Sequence, residues 1–311
     1  MSAYFRISAH KGTVKFAYLQ IKLYFCAVNR KQRYINGLSW FLTIAAYVYI
    51  GYKLYTYDEW SSLLLHFRQA DGIAVLCGVS ALLLMPVNML LEAWRWQYLT
   101  GDISLQEAQR QVYFSKIAGQ LTPYQLGEYP SRALLMKEPR WAEVLSLGVL
   151  GSMTMTTAIV SAGVVPLIVW LIGDKNRSPE IWLSGVVIVT VLAVTLLLPK
   201  ILHRWVKVSY TKLLGSLGQS LLRYLCWCVQ LALCLRLFGL EVSLSRLVEI
   251  PVYYLFVTIA PSVSVAEVGI RGATAMFVFR SMEATLAGML LWAINSLLPM
   301  LIGTFVKKNA K

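Results

Sequence analysis

The chain has 311 residues, of which 58% are hydrophobic and 14% are charged. About a quarter of the residues in soluble proteins are charged, so this composition excludes a large water-soluble domain and predicts an all-α integral membrane protein. The formal net charge of +14 lies in short basic segments beside apolar runs, which argues against nucleic-acid binding and favours cytoplasmic loops that contact anionic lipids.

The chain begins with a basic segment, residues 1–33, that contains seven Lys and Arg residues and no acidic residue. Aromatic residues lie between the basic ones, which predicts a cytoplasmic segment at the membrane surface. The scattered charges argue against a removable signal peptide. We predict a single transmembrane domain over residues 34–306, followed by a short cytoplasmic tail, residues 307–311.

Six full spans are predicted from runs that approach the ~20 apolar residues needed to cross the hydrocarbon core. Their approximate limits are 35–52, 72–96, 143–172, 181–198, 213–235 and 284–306. Glu92 and Arg95 are expected to mark the inner boundary of the second span. The three proposed inner segments contain seven, four and three Lys and Arg residues, and the outer ones contain two each. This asymmetry predicts cytoplasmic termini and a location in the plasma (inner) membrane.

A charged break interrupts the apolar chain between the second and third spans. The segments 112–122 and 124–136 are each too short to cross, because as helices they would rise about 16 and 20 Å. The sequence therefore predicts a re-entrant pair of half-helices that breaks at Thr122 and Pro123. Lys116, within the first half-helix, is expected to extend to the inner interface.

The charged break occurs twice. Glu128 and Arg132 recur as Glu267 and Arg271, each 139 positions later. Among the 15 acidic residues, only these two glutamates have a basic residue four positions further on. The repeated spacing indicates a duplicated motif rather than a chance pairing of charges.

The residues before each motif keep the same register. Ile103-Ser-Leu105 falls 139 positions before Val242-Ser-Leu244. We therefore infer two copies of one unit, at about residues 80–160 and 218–306. Three predicted crossings separate the copies, so the second broken hairpin is expected to enter from the opposite face of the membrane. The predicted fold is thus six spans plus two re-entrant broken-helix hairpins in an inverted repeat, as in many transporters.

The motif residues have two interpretations. A carboxylate or guanidinium inside a membrane normally faces a partner or a water-filled cavity. On a helix, residues four positions apart share one face, so each glutamate can neutralise its own arginine and serve only the structure. The other interpretation is substrate binding by Glu128, Arg132, Glu267 and Arg271, in which the arginines donate to a phosphate and the glutamates orient them.

The residues around the two breaks are predicted to shape them. Hydroxyl groups satisfy backbone groups that a break leaves free, and glycines permit a close approach of backbone or lipid. The predicted helix-break residues are Thr122, Pro123, Gly127, Pro261 and Gly269. The five cysteines each lie in an apolar segment and the three histidines are far apart in the sequence, so we predict no metal site, no cofactor and no catalytic residue.

At the two motifs the chain resembles the flippase-like transmembrane family attached to lysylphosphatidylglycerol synthase. The run Thr122–Arg132 is similar to the first family signature, and Pro261 with Gly269–Arg271 is similar to the second. The chain differs at Tyr124 and Gln125, where family members often have glycine and arginine. The resemblance implies an inner-membrane protein with two broken-helix hairpins that moves a lipid, in some members an aminoacylated phosphatidylglycerol, between leaflets. It would be a stand-alone member without the soluble synthase domain, so no synthase activity is expected.

Three functions are compatible with these features. The first is a flippase-like protein, not an enzyme, that moves a phosphate-bearing, aminoacylated or glycosylated lipid between leaflets, with that phospholipid or glycolipid as its partner. The alternative is a non-transporting membrane subunit that scaffolds or regulates a separately encoded lipid- or glycan-modifying enzyme. The third is a membrane transferase in which Glu128 or Glu267 acts as a base.

Overall fold

The computed structural model describes residues 71–120, 122, 125–136, 141–172, 209–260 and 266–305, and all regular structure within these ranges is helical. The all-α class predicted from composition is confirmed for this part of the chain. Two predicted spans, 35–52 and 181–198, lie outside the described residues, as do the basic segment 1–33 and the tail 307–311.

Four helices among the described residues are long and apolar enough to cross a membrane. They are α1 (Gly72–Thr100), α4 (Trp141–Ile172), α5 (Tyr210–Leu237) and α8 (Met282–Thr304). They contain 29, 32, 28 and 23 residues, each more than the ~20 that a span needs. The predicted second, third, fifth and last spans are therefore helices of the expected kind, and the chain is a membrane protein.

Four shorter helices form two consecutive pairs between these spans. The first pair is α2 (Leu105–Gln120) and α3 (Glu128–Leu134). The second pair is α6 (Leu244–Ile259) and α7 (Ala266–Phe279). The longest of them has 16 residues and rises about 24 Å, which is less than the ~30 Å hydrocarbon core.

The predicted limits of the first pair need correction. Helix α2 begins at Leu105, seven residues before the predicted start, because Ser104 stabilises its first turn: the amide of Glu107 donates to the Ser104 hydroxyl at 3.2 Å. Serine favours helix starts for this reason. Helix α3 begins only at Glu128, since residues 125–127 form turns and Gln125 has a positive φ of 55°.

Helix α1 shows how an apolar span separates two environments. Leu76, Leu83 and Leu90, spaced seven residues apart, lie exposed on its outer face. The opposite face carries Asn88 and Glu92, which are buried against other helices. The helix thus presents hydrocarbon to the lipid and polar groups to the protein interior, the arrangement expected when the solvent is a bilayer.

Helices α1 and α5 pack side by side and run antiparallel. At one end, Gly78 faces Leu237 across the interface. At the other end, the Tyr98 hydroxyl donates to the Thr211 carbonyl oxygen at 3.1 Å. The chain leaves α1 through Gly101, whose φ of 81° is left-handed and whose amide donates to the Gln97 carbonyl oxygen at 2.8 Å, a typical helix end.

The short helices pack against spans that are distant in the sequence. Helix α2 lies against the C-terminal part of α8, and α6 lies against α4. At the first of these crossings, Gly303 of α8 approaches the backbone of α2 so closely that a Cβ atom would stand 2.3 Å from the Tyr113 carbonyl oxygen. Only a residue without a side chain permits this approach.

This crossing yields a stability prediction. Gly303→Ala should lower the free energy of unfolding by about 1–3 kcal/mol, because the added methyl group meets backbone that cannot move aside without shifting a helix. Thermal unfolding in detergent measures the effect. The matched control is Gly218→Ala in α5, where an added Cβ has nothing within 4 Å and the substitution should be neutral or stabilising by up to about 1 kcal/mol. Equal effects at the two positions would contradict the close crossing.

Candidate functional site

The centre of the polar interior is the carboxylate of Glu92 on α1, which is 4% exposed. Its Oε1 accepts a hydrogen bond from Arg132 Nη2 at 2.8 Å. Its Oε2 accepts one from Arg223 Nη1 at 2.6 Å and pairs with Arg95 Nη2. Among the described residues, Glu92 therefore joins arginines from three helices, α1, α3 and α5. Glu92 and Arg95 are both buried against other helices, and their predicted place at the boundary of a span stays a prediction.

Arg132, a predicted substrate-binding residue, lies in the wall behind Glu92 and is 1% exposed. Its Nε donates to the Ser115 hydroxyl at 3.2 Å, and its Nη2 also lies 3.3 Å from Glu128 Oε2. Its guanidinium stands 4.8 Å from the centre of the Trp96 ring, a cation–π contact. Hydrogen bonds, ion pairs and a cation–π contact thus hold the Arg132 side chain in place.

Glu128 forms the predicted pair with Arg132 and a stronger one with Lys116. The Lys116 ammonium group lies 2.5 Å from Glu128 Oε1, and both side chains are buried. The expected position of Lys116 at the membrane interface is therefore incorrect, because its stem stays inside and its charge is neutralised there. The pair Glu128 and Arg132 is one part of a network that continues to Glu92.

The second motif forms a simpler pair that contacts the first. Arg271 donates to Glu267 Oε1 through Nη2 at 2.7 Å and through Nε at 3.1 Å. The other carboxylate oxygen of Glu267 accepts a hydrogen bond from Gln125 Nε2 at 2.9 Å. The two residues are 142 positions apart, so this bond joins the turn before α3 to helix α7. The two motif copies meet inside the protein.

A cavity of about 310 Å³ opens between the two motifs. Among the charged residues, it is lined by Glu92, Arg95, Lys116, Glu128, Arg223 and Arg271. Four of these described side chains are basic and two are acidic, a difference of +2 when all are ionised. Arg132 and Glu267, which lie directly behind the lining, contribute one charge of each sign and leave the difference unchanged.

Of the four predicted substrate-binding residues, Glu128 and Arg271 line the cavity, whereas Arg132 and Glu267 lie behind it. The first break has the predicted chemistry: the Thr122 hydroxyl accepts from the Gly127 amide at 2.7 Å and donates to the Ala118 carbonyl oxygen at 2.9 Å. A Cβ on Gly127 would stand 2.4 Å from that same oxygen.

The remaining helix-break residues differ in position. Gly269 is the fourth residue of α7 and lies within the helix, since α7 begins at Ala266, so the second break precedes it. Pro123 and Pro261 lie outside the described residues. Their predicted roles stay predictions.

Arg223 and its neighbours on α5 were missed by the sequence interpretation. They form a stripe of mostly polar side chains at intervals of three and four residues. The stripe consists of Ser216, Ser220, Arg223, Trp227 and Gln230. This spacing marks one face of a helix, and a basic residue in the middle of a predicted span is itself a signal of function. Counting charges only in loops concealed it.

Asn295 joins this stripe from α8, which has a π-helical segment at Ala293–Leu297. Its side-chain oxygen accepts from Asn88 Nδ2 at 2.9 Å, and its own Nδ2 donates to Gln230 Oε1 at 2.9 Å. A π-helical turn often occurs at a functional site. Here Asn295 and Ser296 from this turn line the cavity.

Comparisons of the chain with protein-family models, with curated proteins and with solved structures find no match. Within the described ranges, no group of three or more His, Cys, Asp and Glu side chains is arranged to hold a metal ion. The geometry of the described residues thus defines a polar cavity with excess positive charge inside a helical membrane protein.

The central position of Glu92 generates a stability prediction. Glu92→Ala should lower the free energy of unfolding by about 3–5 kcal/mol, because it leaves buried arginines without a counter-charge. Denaturation in detergent, followed by helical circular dichroism, measures the loss.

The control for this substitution is Glu249→Ala. Glu249 pairs with Arg246 at 2.8 Å, but their side chains are 19% and 24% exposed. Loss of such a partly solvated pair should cost about 1 kcal/mol or less. A Glu92→Ala protein as stable as the control would show that the buried cluster does not hold the helices together.

Proposed function

We propose that this chain is a flippase-like membrane protein that moves a phosphate-bearing lipid, aminoacylated or glycosylated in its head group, between the leaflets of the inner membrane. The single observation that carries the proposal is the polar cavity of about 310 Å³ whose described lining has two positive charges in excess. The partner in this proposal is a phospholipid or glycolipid.

The charge of the cavity favours an anionic occupant. Unpaired charges removed from water are costly, and buried arginines require counter-charges. The described lining supplies two carboxylates for four basic groups. A phosphate group supplies the missing negative charge, and guanidinium groups bind phosphate oxygens through paired hydrogen bonds. Arg271 donates from Nε and Nη2 to Glu267 Oε1. These two hydrogen bonds hold its guanidinium group at the cavity lining in a defined orientation.

The size of the cavity favours a head group rather than a whole lipid. Its volume of about 310 Å³ is at the lower end of small-molecule pockets, about 300–1,000 Å³. The acyl chains would remain in the bilayer, where α1 exposes Leu76 and Leu83. In this arrangement the protein shields the polar part of the lipid, which is the part that hydrocarbon excludes.

Three features support an inverted repeat of six spans and two re-entrant hairpins. Helices α2 and α6 begin 139 positions apart and end 139 positions apart, the same offset as between Glu128 and Glu267. Helices α1 and α5 occupy equivalent places in the two copies and run antiparallel. The short helix of each copy packs against the last span of the other, α2 on α8 and α6 on α4.

An inverted repeat also suggests how the site changes access. Two-fold-related units that share a central binding site can rock against each other and open it alternately to each side. The bond between Gln125 and Glu267 joins the two units at that site. In this proposal both termini are cytoplasmic, as the distribution of basic residues predicts, and the resemblance to the flippase-like family of lysylphosphatidylglycerol synthase supports the same function.

The pairing of the carboxylates favours transport over chemistry. A general base must be free to take a proton from its substrate. Glu92 is held by arginines and Glu128 by Lys116 and Arg132, so each carboxylate on the cavity lining is already engaged by basic groups. We therefore propose a protein that binds and moves its lipid without modifying it.

The proposal predicts lipid translocation by the pure protein. In liposomes that contain head-group-labelled lipids, the wild type should move label between leaflets, and Arg271→Ala should reduce the rate about 10- to 100-fold. This range follows from a loss of about 1.5–3 kcal/mol for hydrogen bonds to a charged group. Accessibility of the label to a membrane-impermeant quencher measures the rate.

The control is Arg246→Ala, which removes an arginine that pairs with Glu249 and is not part of the described cavity lining. It should translocate at the wild-type rate. No translocation by wild type would reject transport and favour the alternative of a non-transporting subunit, whereas translocation at equal rates by Arg271→Ala and wild type would show that Arg271 does not bind the phosphate.

A further inference from the structure

We infer that Arg95 and Arg223, which belong to neither motif and line the same cavity as Arg271, form a phosphate clamp, and that Glu92 is an internal anion whose Oε2 occupies the phosphate position until the lipid displaces it. This inference rests on the proposed function and assigns the head-group site within it. The ligand class is a lipid phosphate, as a monoester or diester.

The two oxygens of Glu92 have different partners. Oε2 pairs with both Arg95 and Arg223, which line the cavity. Oε1 accepts from Arg132, which lies behind the lining. One carboxylate oxygen thus sits between two guanidinium groups at the cavity wall, in the place where an oxygen of a bound phosphate would sit. The other oxygen anchors the side chain to the protein.

Both cavity-lining arginines are positioned by partners other than Glu92. Arg95 Nη1 donates to the Gly151 carbonyl oxygen at 2.8 Å and to the Ser220 hydroxyl at 2.9 Å. Arg223 Nε donates to Asn88 Oδ1 at 2.9 Å. These neutral bonds hold the guanidinium planes when Glu92 moves, so the clamp is formed in advance. Preorganised donors lose little entropy on binding.

Displacement does not leave Glu92 without a counter-charge. When a phosphate oxygen takes the place of Oε2, the carboxylate keeps its bond to Arg132 through Oε1 at 2.8 Å. This explains why Arg132 lies in the wall: it retains Glu92 when the lipid is bound. Because one anion replaces another, the arginines of the clamp are never left without a counter-charge in the low-dielectric interior.

The inference predicts a gain of affinity, which a merely structural role for Glu92 would not give. Purified protein in a neutral detergent is titrated with dihexanoylphosphatidylglycerol by isothermal titration calorimetry. Glu92→Gln should bind about tenfold more tightly than wild type, because the competing charge is removed from the clamp. Arg223→Gln and Arg95→Gln should each bind at least about tenfold more weakly.

A second comparison separates displacement from a general effect of charge. Glu128→Gln removes one negative charge from the same cavity lining but not from the clamp. In an Arg223→Gln background, Glu92→Gln should give a smaller gain than in wild type, because only Arg95 is left for Oε2 to block, whereas any gain from Glu128→Gln should persist unchanged. Equal gains from both substitutions in both backgrounds would overturn the inference.

A misfolded protein cannot give the expected gain of affinity, since a tighter complex requires an intact site. The elution volume in size-exclusion chromatography and the thermal unfolding of each variant are compared with those of Arg246→Gln, which changes a pair outside the described cavity lining. If the arginine variants fail to fold, the lipid affinity of Glu92→Gln decides the question. A folded Glu92→Gln protein that binds the lipid no more tightly than wild type contradicts displacement.

The source of the phosphate is tested with inorganic phosphate in the same titrations. The lipid should bind more tightly than inorganic phosphate, with the same order of variants. Equal affinity for the two would overturn the assignment to a lipid head group. The clamp and the proposed function can fail separately. If lipid binding depends on Arg95 and Arg223 but the protein does not translocate lipid, transport is rejected and the clamp is kept. If folded Arg95→Gln and Arg223→Gln proteins translocate at the wild-type rate, the clamp is rejected and transport is kept.

Discussion

The ion cluster around Glu92 is the interaction on which the described structure depends. It joins α1, α3 and α5 through a carboxylate that is 4% exposed and that bonds to Arg95, Arg132 and Arg223 among the described residues. In a low-dielectric interior, such charges are tolerated only when each is paired and hydrogen-bonded. The requirement therefore fixes the relative positions of three helices far more narrowly than apolar packing does, because lipid chains compete equally well for apolar side chains.

The two motif copies share a spacing but differ in their surroundings. Glu128 and Arg132 belong to a network that includes Lys116 and Glu92, whereas Glu267 and Arg271 pair with each other and contact the first copy through Gln125. A duplicated motif can thus have two roles. In the first copy it supports the wall of the cavity, and in the second it brings an arginine to the lining.

The polar interior and the apolar exterior serve one purpose in the proposed function. Leu76, Leu83 and Leu90 face outward on α1, while Asn88 and Glu92 on the same helix face the cavity side of the protein. A lipid has the same division between head group and chains. A protein that hides a phosphate and leaves hydrocarbon in the bilayer removes the main barrier to movement between leaflets, which is the burial of a charge in hydrocarbon.

The amino-acid sequence by itself determined the class of the protein, four of the spans that the structure describes, and the existence of a charged break between them. These properties depend on consecutive residues, since a run of about 20 apolar residues forms a membrane-spanning helix regardless of its neighbours in the fold. The exact repeat of Glu128 and Arg132 at Glu267 and Arg271 was likewise visible in the chain.

Only the tertiary structure decided which charges meet. Arg223 lies 131 positions from Glu92, and Gln125 lies 142 positions from Glu267. Sequence spacing identified the local pairs four residues apart, but it did not predict the pair of Arg132 with Glu92 or the pair of Lys116 with Glu128. The reason is physical: a buried charge takes its partner from whichever helix packs against it, and that choice depends on the packing of α1 against α5 rather than on any neighbour in the chain.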